Sequence, residues 1–537
     1  MMKKIELLDC TLRDGSYIND SYFGTPVIKG IIKKMQEARV EIIECGWLKD
    51  KAHEEGSAYY HVPADLEPYL LNRSKDYTYV VMIDWDRYNV DNLPVCDGKS
   101  IDAIRVVFPH GKHQEGIAVG ERIRRKGYQL YLQAANTLAY SDGDLKDLAA
   151  CVNKVHPVGL SVVDTFGAMY FEDLERIVKV LDANLDKSIK LGFHSHNNQQ
   201  LSFALSIHFI NLLKNSKRSI MVDASLCGMG RGAGNATTEL MVSYLNKNEH
   251  GNYNLDSVMD AIDLYMTGLQ EKYTWGYSTP YFIAGLYQCH VNNIAYLLNN
   301  HRTNAKDMRN VISSLSQAER RKYDYDLLET KFLENQDRIV DDEAAVEKLH
   351  NAWKDKTVLL IAPGKSINTK EEKIKKYIAE EKPIVIGVNA INPRYNYDYV
   401  FFVNAARYEY AASTYKEKYE KTKRIVLSNI KTEADDNEVV VNFNRAIKRG
   451  WPHFDNAVIC CLRLMNQLNI KNIAIVGFDG FKTKYNESYA DELLPTLNPD
   501  NKWNELNEEI KEMYSDFVET TKGKMNIKFV TESYFEK

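Results

Sequence analysis

Ile5-Glu6-Leu7-Leu8-Asp9, followed directly by Cys10-Thr11-Leu12-Arg13-Asp14-Gly15, reads as a short buried strand with its reactive residues at the C-terminal end. Seven further β-rich runs repeat the pattern: Val40–Cys45, Tyr77–Asp84, Ala103–Phe108, Gln129–Ala134, Gly159–Asp164, Ile189–Phe193 and Ile220–Ala224, each followed by a polar loop and a helical stretch. Eight such units predict an α/β fold, the TIM (β/α)8 barrel, with active-site groups on the loops after the strands. The polar residues obey that rule. Arg13 and Asp14 follow the first run, Glu44 ends the second, Asp84 the third, His110 and His113 follow the fourth, Asp164 and Thr165 end the sixth, and His194 and His196 end the seventh. An open doubly wound sheet would not collect polar groups from so many strands at one mouth.

In His194-Ser195-His196-Asn197-Asn198 the alternation of a strand puts both histidines on one face, so both imidazoles reach one ion. Two imidazoles and one carboxylate leave coordination positions open for a substrate, which is the catalytic pattern of ligation. A third element, Gly228-Met229-Gly230-Arg231-Gly232-Ala233-Gly234-Asn235, follows the last barrel run. Its spacing is not that of the dinucleotide fingerprint, and it reads as shaping the barrel mouth.

With 44% hydrophobic and 27% charged residues and a net charge of −5, the composition is that of an ordinary globular protein with no basic excess to attract nucleic acid. No apolar run reaches the roughly 20 residues of a membrane span, and the N-terminus enters a strand without a signal-peptide core, so a cytoplasmic location is expected. The eight cysteines lack Cys-x-x-Cys spacing and read as reduced buried thiols. At 537 residues the chain should hold two or three domains. The divisions read as 1–255 for the barrel, 256–353 for a helical extension without β-like runs, and 354–537 for a new α/β pattern. Its runs are Thr357–Ala362, Ile384–Val388, Tyr399–Val403, Arg424–Leu427, Val439–Phe443, Ile473–Val476 and Ile527–Val530, a Rossmann-like domain.

The strings Thr11-Leu12-Arg13-Asp14-Gly15, Ile43-Glu44, Val163-Asp164-Thr165-Phe166-Gly167, and the His194/His196 pair with Gly232-Ala233-Gly234-Asn235 resemble the metal-dependent pyruvate aldolase and acyl-lyase superfamily, and most closely its 4-hydroxy-2-oxovalerate aldolase branch. The resemblance implies that Asp14, His194 and His196 bind a divalent ion, Mn²⁺ first, with Mg²⁺, Co²⁺ or Zn²⁺ as alternatives. It implies a catalytic set of Arg13, Tyr17 and Glu44, with Arg13 facing a developing enolate, and substrate contacts from Thr165 and Asn235. The expected reaction joins or cleaves pyruvate, or a close 2-oxo acid, and an aldehyde. An acyl-CoA Claisen synthase or lyase and a non-catalytic scaffold are the alternatives.

Tyr17 stands where the oxovalerate aldolases carry a basic histidine, and a phenol is a poor base at neutral pH. Either Tyr17 is tuned or His53, His110 or His113 serves. The segment Trp275 to Tyr287 is similar to the helical domain over the barrel in those aldolases, a packing or dimerisation surface that makes a homo-oligomer the expectation. In the C-terminal domain Pro363-Gly364-Lys365-Ser366, Val388-Asn389-Ala390 and Gly477-Phe478-Asp479-Gly480 resemble sialyltransferase-like nucleotide-binding domains. That resemblance implies a nucleotide sugar held at Gly364, Lys365 and Ser366, and a sugar-derived aldehyde in surface-polysaccharide synthesis.

Overall fold

The computed structural model describes residues 5–301, 303–432, 435–452, 456–482, 485–496 and 502–536. Two compact units emerge, one of residues 1–291 with 320–322 and the other of 292–319 with 323–537. The helices of the 256–353 stretch divide between them. Among the described residues no helix is long and apolar enough to cross a membrane.

The first unit is a closed barrel of eight parallel strands: β1 (Ile5–Asp9), β2 (Ile42–Leu48), β3 (Thr78–Asp84), β4 (Ala103–Phe108), β5 (Gln129–Ala134), β6 (Gly159–Asp164), β7 (Lys190–Ser195) and β8 (Ile220–Ala224). Closure comes from β1, which pairs with β8 through Leu7 and Val222 and with β2 through Leu8 and Ile42. Side chains facing outward, such as Leu7, Ile43, Val81, Ile104, Leu132 and Val222, pack against the surrounding helices. Side chains facing inward stack in layers. The lower layer is apolar, with Leu8, Ile42, Val80, Ala103, Tyr131 and Met221 in one cluster. Two residues further along, the same face carries Glu44, Arg105, Gln133 and Asp223 on four of these strands, with Ser161 on β6, all buried. The barrel interior therefore turns polar and charged toward its C-terminal mouth.

The second unit contains an all-parallel sheet of β9 (Thr357–Ile361), β10 (Ile384–Val388), β11 (Tyr399–Phe402), β12 (Lys423–Leu427), β13 (Glu438–Val441), β14 (Asn472–Val476) and β15 (Asn526–Phe529). Its order is β13-β12-β11-β10-β9-β14-β15. The inner strands read as apolar runs because both faces are covered; every residue of β10 is buried, whereas the edge strand β15 alternates exposed and half-buried residues. The direction of winding reverses between β9 and β14, where ligands bind in open α/β sheets.

Candidate active site

Asp9 and Asp14 both follow the first strand, and their surroundings separate their roles. Asp9 accepts from the Thr238 hydroxyl at 2.7 Å and from the Thr11 amide at 3.1 Å, and its carboxyl is pushed up to about 6 by burial. It ties the strand end to the helix Thr238–Asn248. Asp14, fully buried at the end of the short helix Thr11–Asp14, faces the histidines instead. Asn235 donates to its Oδ2 at 2.6 Å, the Arg231 amide reaches the same oxygen at 3.3 Å, and Arg13 Nη1 pairs with Oδ1. Burial alone would raise the Asp14 carboxyl, but Arg13, His196, His194 and Asn235 hold it well below the usual carboxylate range.

Asp14, His194 and His196 bring one donor atom each to within 4.8 Å of one another. His194 Nδ1 lies 3.0 Å from Asp223 Oδ2, which fixes the ring and its tautomer and presents the other nitrogen to the mouth. His196 is held by a bridge to Asn235 and by its amide on the Asp164 carbonyl. Its Nδ1 is buried without a hydrogen-bond partner among the described residues, and desolvation brings the imidazole down to about 3, against the pull of Asp14. A neutral imidazole with an unspent buried nitrogen, beside an ionised carboxylate and a second oriented imidazole, fits a divalent ion. The N₂O donor set suits Mn²⁺, Co²⁺ or Zn²⁺, and Mg²⁺ less well.

A chain of buried charges supports this triad from below. Glu44 Oε2 accepts from Arg13 Nε at 2.8 Å and lies 3.0 Å from Arg105 Nη1, while Arg105 Nη2 reaches Asp223 Oδ2 at 2.5 Å. Asp223 in turn orients His194. Within this chain two arginines face three carboxylates, Asp14, Glu44 and Asp223, so each buried charge has an opposite partner. Glu44 thus grips Arg13 from the wall of the barrel, and Arg13 Nη2 is buried without a hydrogen-bond partner among the described residues. The Arg13 guanidinium also lies 5.7 Å from the Trp47 ring.

The other residues expected at the site divide. Asn235 serves Asp14 directly. Thr165 accepts from the Asn136 amide at 2.7 Å and braces the neighbouring loop. Tyr17 stands at the mouth, 46% exposed, with its ring edge-on to Trp47; desolvation raises its phenol more than the nearby Arg231 lowers it. His53 spends both ring nitrogens on the Tyr59 carbonyl and the Tyr69 hydroxyl. His110 and His113 pair with Asp144 and Asp147. None of these three joins the triad. Sequence reasoning missed Arg105 and Asp223, although a lone charge inside an apolar barrel strand was a legible signal. It also missed His290, whose Nε2 accepts from Arg231 at 2.9 Å; burial, then Arg231, lowers this imidazole to about 3.

In the second unit the expected phosphate cradle is already filled. The amides of Gly364 and Lys365 donate to the carbonyls of Gly477 and Ser488, and both the amide and hydroxyl of Ser366 donate to the Asp479 carboxylate. Lys365 reaches Glu492 near the surface. The expectation that these three residues hold a phosphate on backbone donors is therefore corrected: a protein carboxylate stands where the anion would. Beside them, at the reversal point of the sheet, opens a cavity lined by Asn389, Asn404, Arg407, Asn456, Phe478 and Tyr489 among others.

Residues 4–266 match the HMGL-like family model. The oxaloacetate decarboxylase of Mycobacterium tuberculosis is 27% identical over 271 residues, 49% of this chain and 76% of the relative. The 4-hydroxy-2-oxovalerate aldolase of Pseudoalteromonas translucida is 24% identical over 282 residues, 49% of this chain and 76% of the relative. Among solved structures, the N-terminal domain of a proposed aldolase from Bacteroides vulgatus is 25% identical with a TM-score of 0.48, covering 54% of this chain and 95% of that one.

Proposed function

We propose that this chain is a divalent-metal-dependent aldolase, a reading supported by the match of residues 4–266 to the HMGL-like family model and by relatives named oxaloacetate decarboxylase and 4-hydroxy-2-oxovalerate aldolase. It joins or cleaves pyruvate, or a close 2-oxo acid, and an aldehyde. The observation that carries the reading is the convergence of Asp14, His194 and His196 beside the buried Arg13 fork. A divalent ion held by those three would withdraw electrons from the carboxylate and keto oxygens of a 2-oxo acid. Arg13, aimed by Glu44, orients the keto oxygen and stabilises negative charge as the adjacent carbon–carbon bond forms or breaks. Asn235 keeps Asp14 turned toward the histidines. Tyr17, protonated at neutral pH, gives its proton to the aldehyde oxygen during addition and recovers it during cleavage, with Arg231 lying 4.9 Å over its ring to steady the phenolate.

The test is incubation of the full chain with Mn²⁺ and pyruvate in deuterated water. Methyl-proton exchange that stops on adding a chelator is the expected result. An acyl-CoA synthase would exchange nothing without its acyl-CoA, and a scaffold nothing at all. Pyruvate release from candidate hydroxy-oxo acids, coupled to lactate dehydrogenase, then identifies the acceptor aldehyde.

For the second unit the reading is a nucleotide-sugar site in the cavity at the sheet reversal. Arg407, 6% exposed and 4.6 Å over the Tyr489 ring, offers a cation for phosphate, and three asparagine amides offer hydrogen bonds to a base or sugar. A sugar-derived aldehyde would connect the two units' substrates. Thermal shift of the full chain with CMP-, UDP- and GDP-linked sugars tests it; no shift with any removes this reading and leaves the aldolase.

A further inference from the structure

The glycine loop after β8 carries one long charged side chain, Arg231, between Gly230 and Gly232. A Cβ on Gly230 would collide with the Asn235 amide and the Asp14 carboxylate, and Gly232 has φ +65°. The backbone on both sides of Arg231 is therefore held by the metal-triad residues and by a conformation that favours glycine. From this anchor the guanidinium donates to His290 Nε2 at 2.9 Å and lies 4.9 Å over the Tyr17 ring. Its charge is felt by Tyr17, Asp84, His196, Tyr281 and His290, so one cation stands among the groups that surround the triad. Arg13 is differently placed, bound into the barrel wall between Asp14 and Glu44. Two arginines, one in the wall and one in the mouth, match two anionic groups on one substrate.

We infer that Arg231 binds a second anionic group of the substrate, a carboxylate or phosphate remote from the keto group, so that the substrate is a 2-oxo acid with a charged far end. This rests on the aldolase reading above. His290 is a positioning residue: its neutral imidazole accepts from Nη2 and holds the guanidinium plane across the mouth. A planar fork is suited to carboxylate or phosphate oxygens, and a charge-assisted pair of this kind discriminates against a neutral isostere by about 10- to 100-fold.

The experiment is calorimetric titration of the full chain loaded with Mn²⁺ with three probes of one chain length: 2-oxoglutarate, 2-oxo-4-phosphonobutanoate and 2-oxopentanoate. Wild type should bind at least one dianionic probe about 30-fold more tightly than 2-oxopentanoate. The better of the two names carboxylate or phosphate as the natural group. Arg231→Leu and Arg231→Gln should each reduce the preference to less than about 3-fold, with circular dichroism establishing that at least one of them is folded. His290→Gln should reduce it partially and make it more sensitive to salt. Equal binding of the three probes by wild type, binding of none, or a preference that survives both Arg231 substitutions overturns the inference. Methyl-proton exchange on the same preparation keeps the two readings apart. An inert chain that prefers the dianion loses the aldolase and keeps Arg231, and an exchanging chain without preference does the reverse.

Discussion

Arg13→Lys isolates the geometry of the guanidinium from its charge. In the wild type Nε binds Glu44 at 2.8 Å, Nη1 pairs with Asp14, and Nη2 is buried with no hydrogen-bond partner among the described residues, the donor the aldolase reading assigns to the keto oxygen. A lysine ammonium can satisfy Glu44 or Asp14 but has no planar array to serve both and still face the keto oxygen. With the ammonium on Asp14, Glu44 still keeps Arg105 at 3.0 Å, so neither carboxylate is left without a cation and the barrel should fold. One charge-assisted donor lost at a developing oxyanion is worth about 3 to 4 kcal/mol, or about 10² to 10³ in turnover. The assays are metal content by elemental analysis, methyl-proton exchange in deuterated water and pyruvate release. Metal content should stay at the wild-type level while both rates fall together. Turnover within threefold of wild type would remove Arg13 from the chemistry; loss of the metal along with turnover would instead make it a structural partner of Asp14.

Asp14→Asn and His196→Ala should each lose bound metal and activity with the far-ultraviolet spectrum unchanged, because the ligands sit above the apolar layer of the barrel; tight metal retention in both would refute the ligand assignment. Asp223→Asn leaves the three donors in place but weakens the hold on His194 Nδ1, so metal affinity should fall about 10- to 100-fold, measured by competition with a chelating dye. His290 sets a pH dependence. Its folded value near 3 lies below the ordinary 6.5, so the unfolded chain takes up a proton that the folded chain refuses, and stability falls as pH drops from about 6.5 toward 3. Between pH 7 and 5 this group should remove on the order of 1–2 kcal/mol from wild type but not from His290→Gln; parallel melting-temperature profiles would contradict it. A chain ending at residue 291 retains every proposed ligand and the Arg231–His290 pair, and should still exchange pyruvate protons; an insoluble product would show that the remaining chain is needed to fold the barrel.

The barrel was legible because its eight strands are short apolar runs with a period of one βα unit, and five of the eight have the expected bounds to the residue: Ile5–Asp9, Ala103–Phe108, Gln129–Ala134, Gly159–Asp164 and Ile220–Ala224. Strand ends drifted where a functional side chain continues the strand, as at β7, which runs on through His194 to Ser195. The tiny strand Tyr59–Tyr60 was missed because two residues carry no periodicity. The C-terminal strands were recognisable for the same reason as the barrel's, since burial on both faces leaves mostly apolar residues in the inner strands, Thr357–Ile361, Ile384–Val388 and Asn472–Val476. Only their order, with its reversal between β9 and β14, needed the coordinates.

Local sequence by itself determined the secondary structure, the fold class and the residue types of the mouth, since strand alternation and the rule that loops after strands carry chemistry act over short distances. Which groups meet was decided by closure of the barrel. That closure brings Arg105 and Asp223, 118 residues apart, into one buried ion pair. It separates Asp9 from Asp14 although both follow the same strand, and it brings His290 to Arg231 from beyond the barrel. In the second unit it is the pairing of its own first and sixth strands that turns Asp479 onto the Ser366 amide, where the sequence alone left room for a phosphate. Charges are placed by the cost of leaving them unpaired away from water, and the partner that meets that cost is chosen in space, not along the chain.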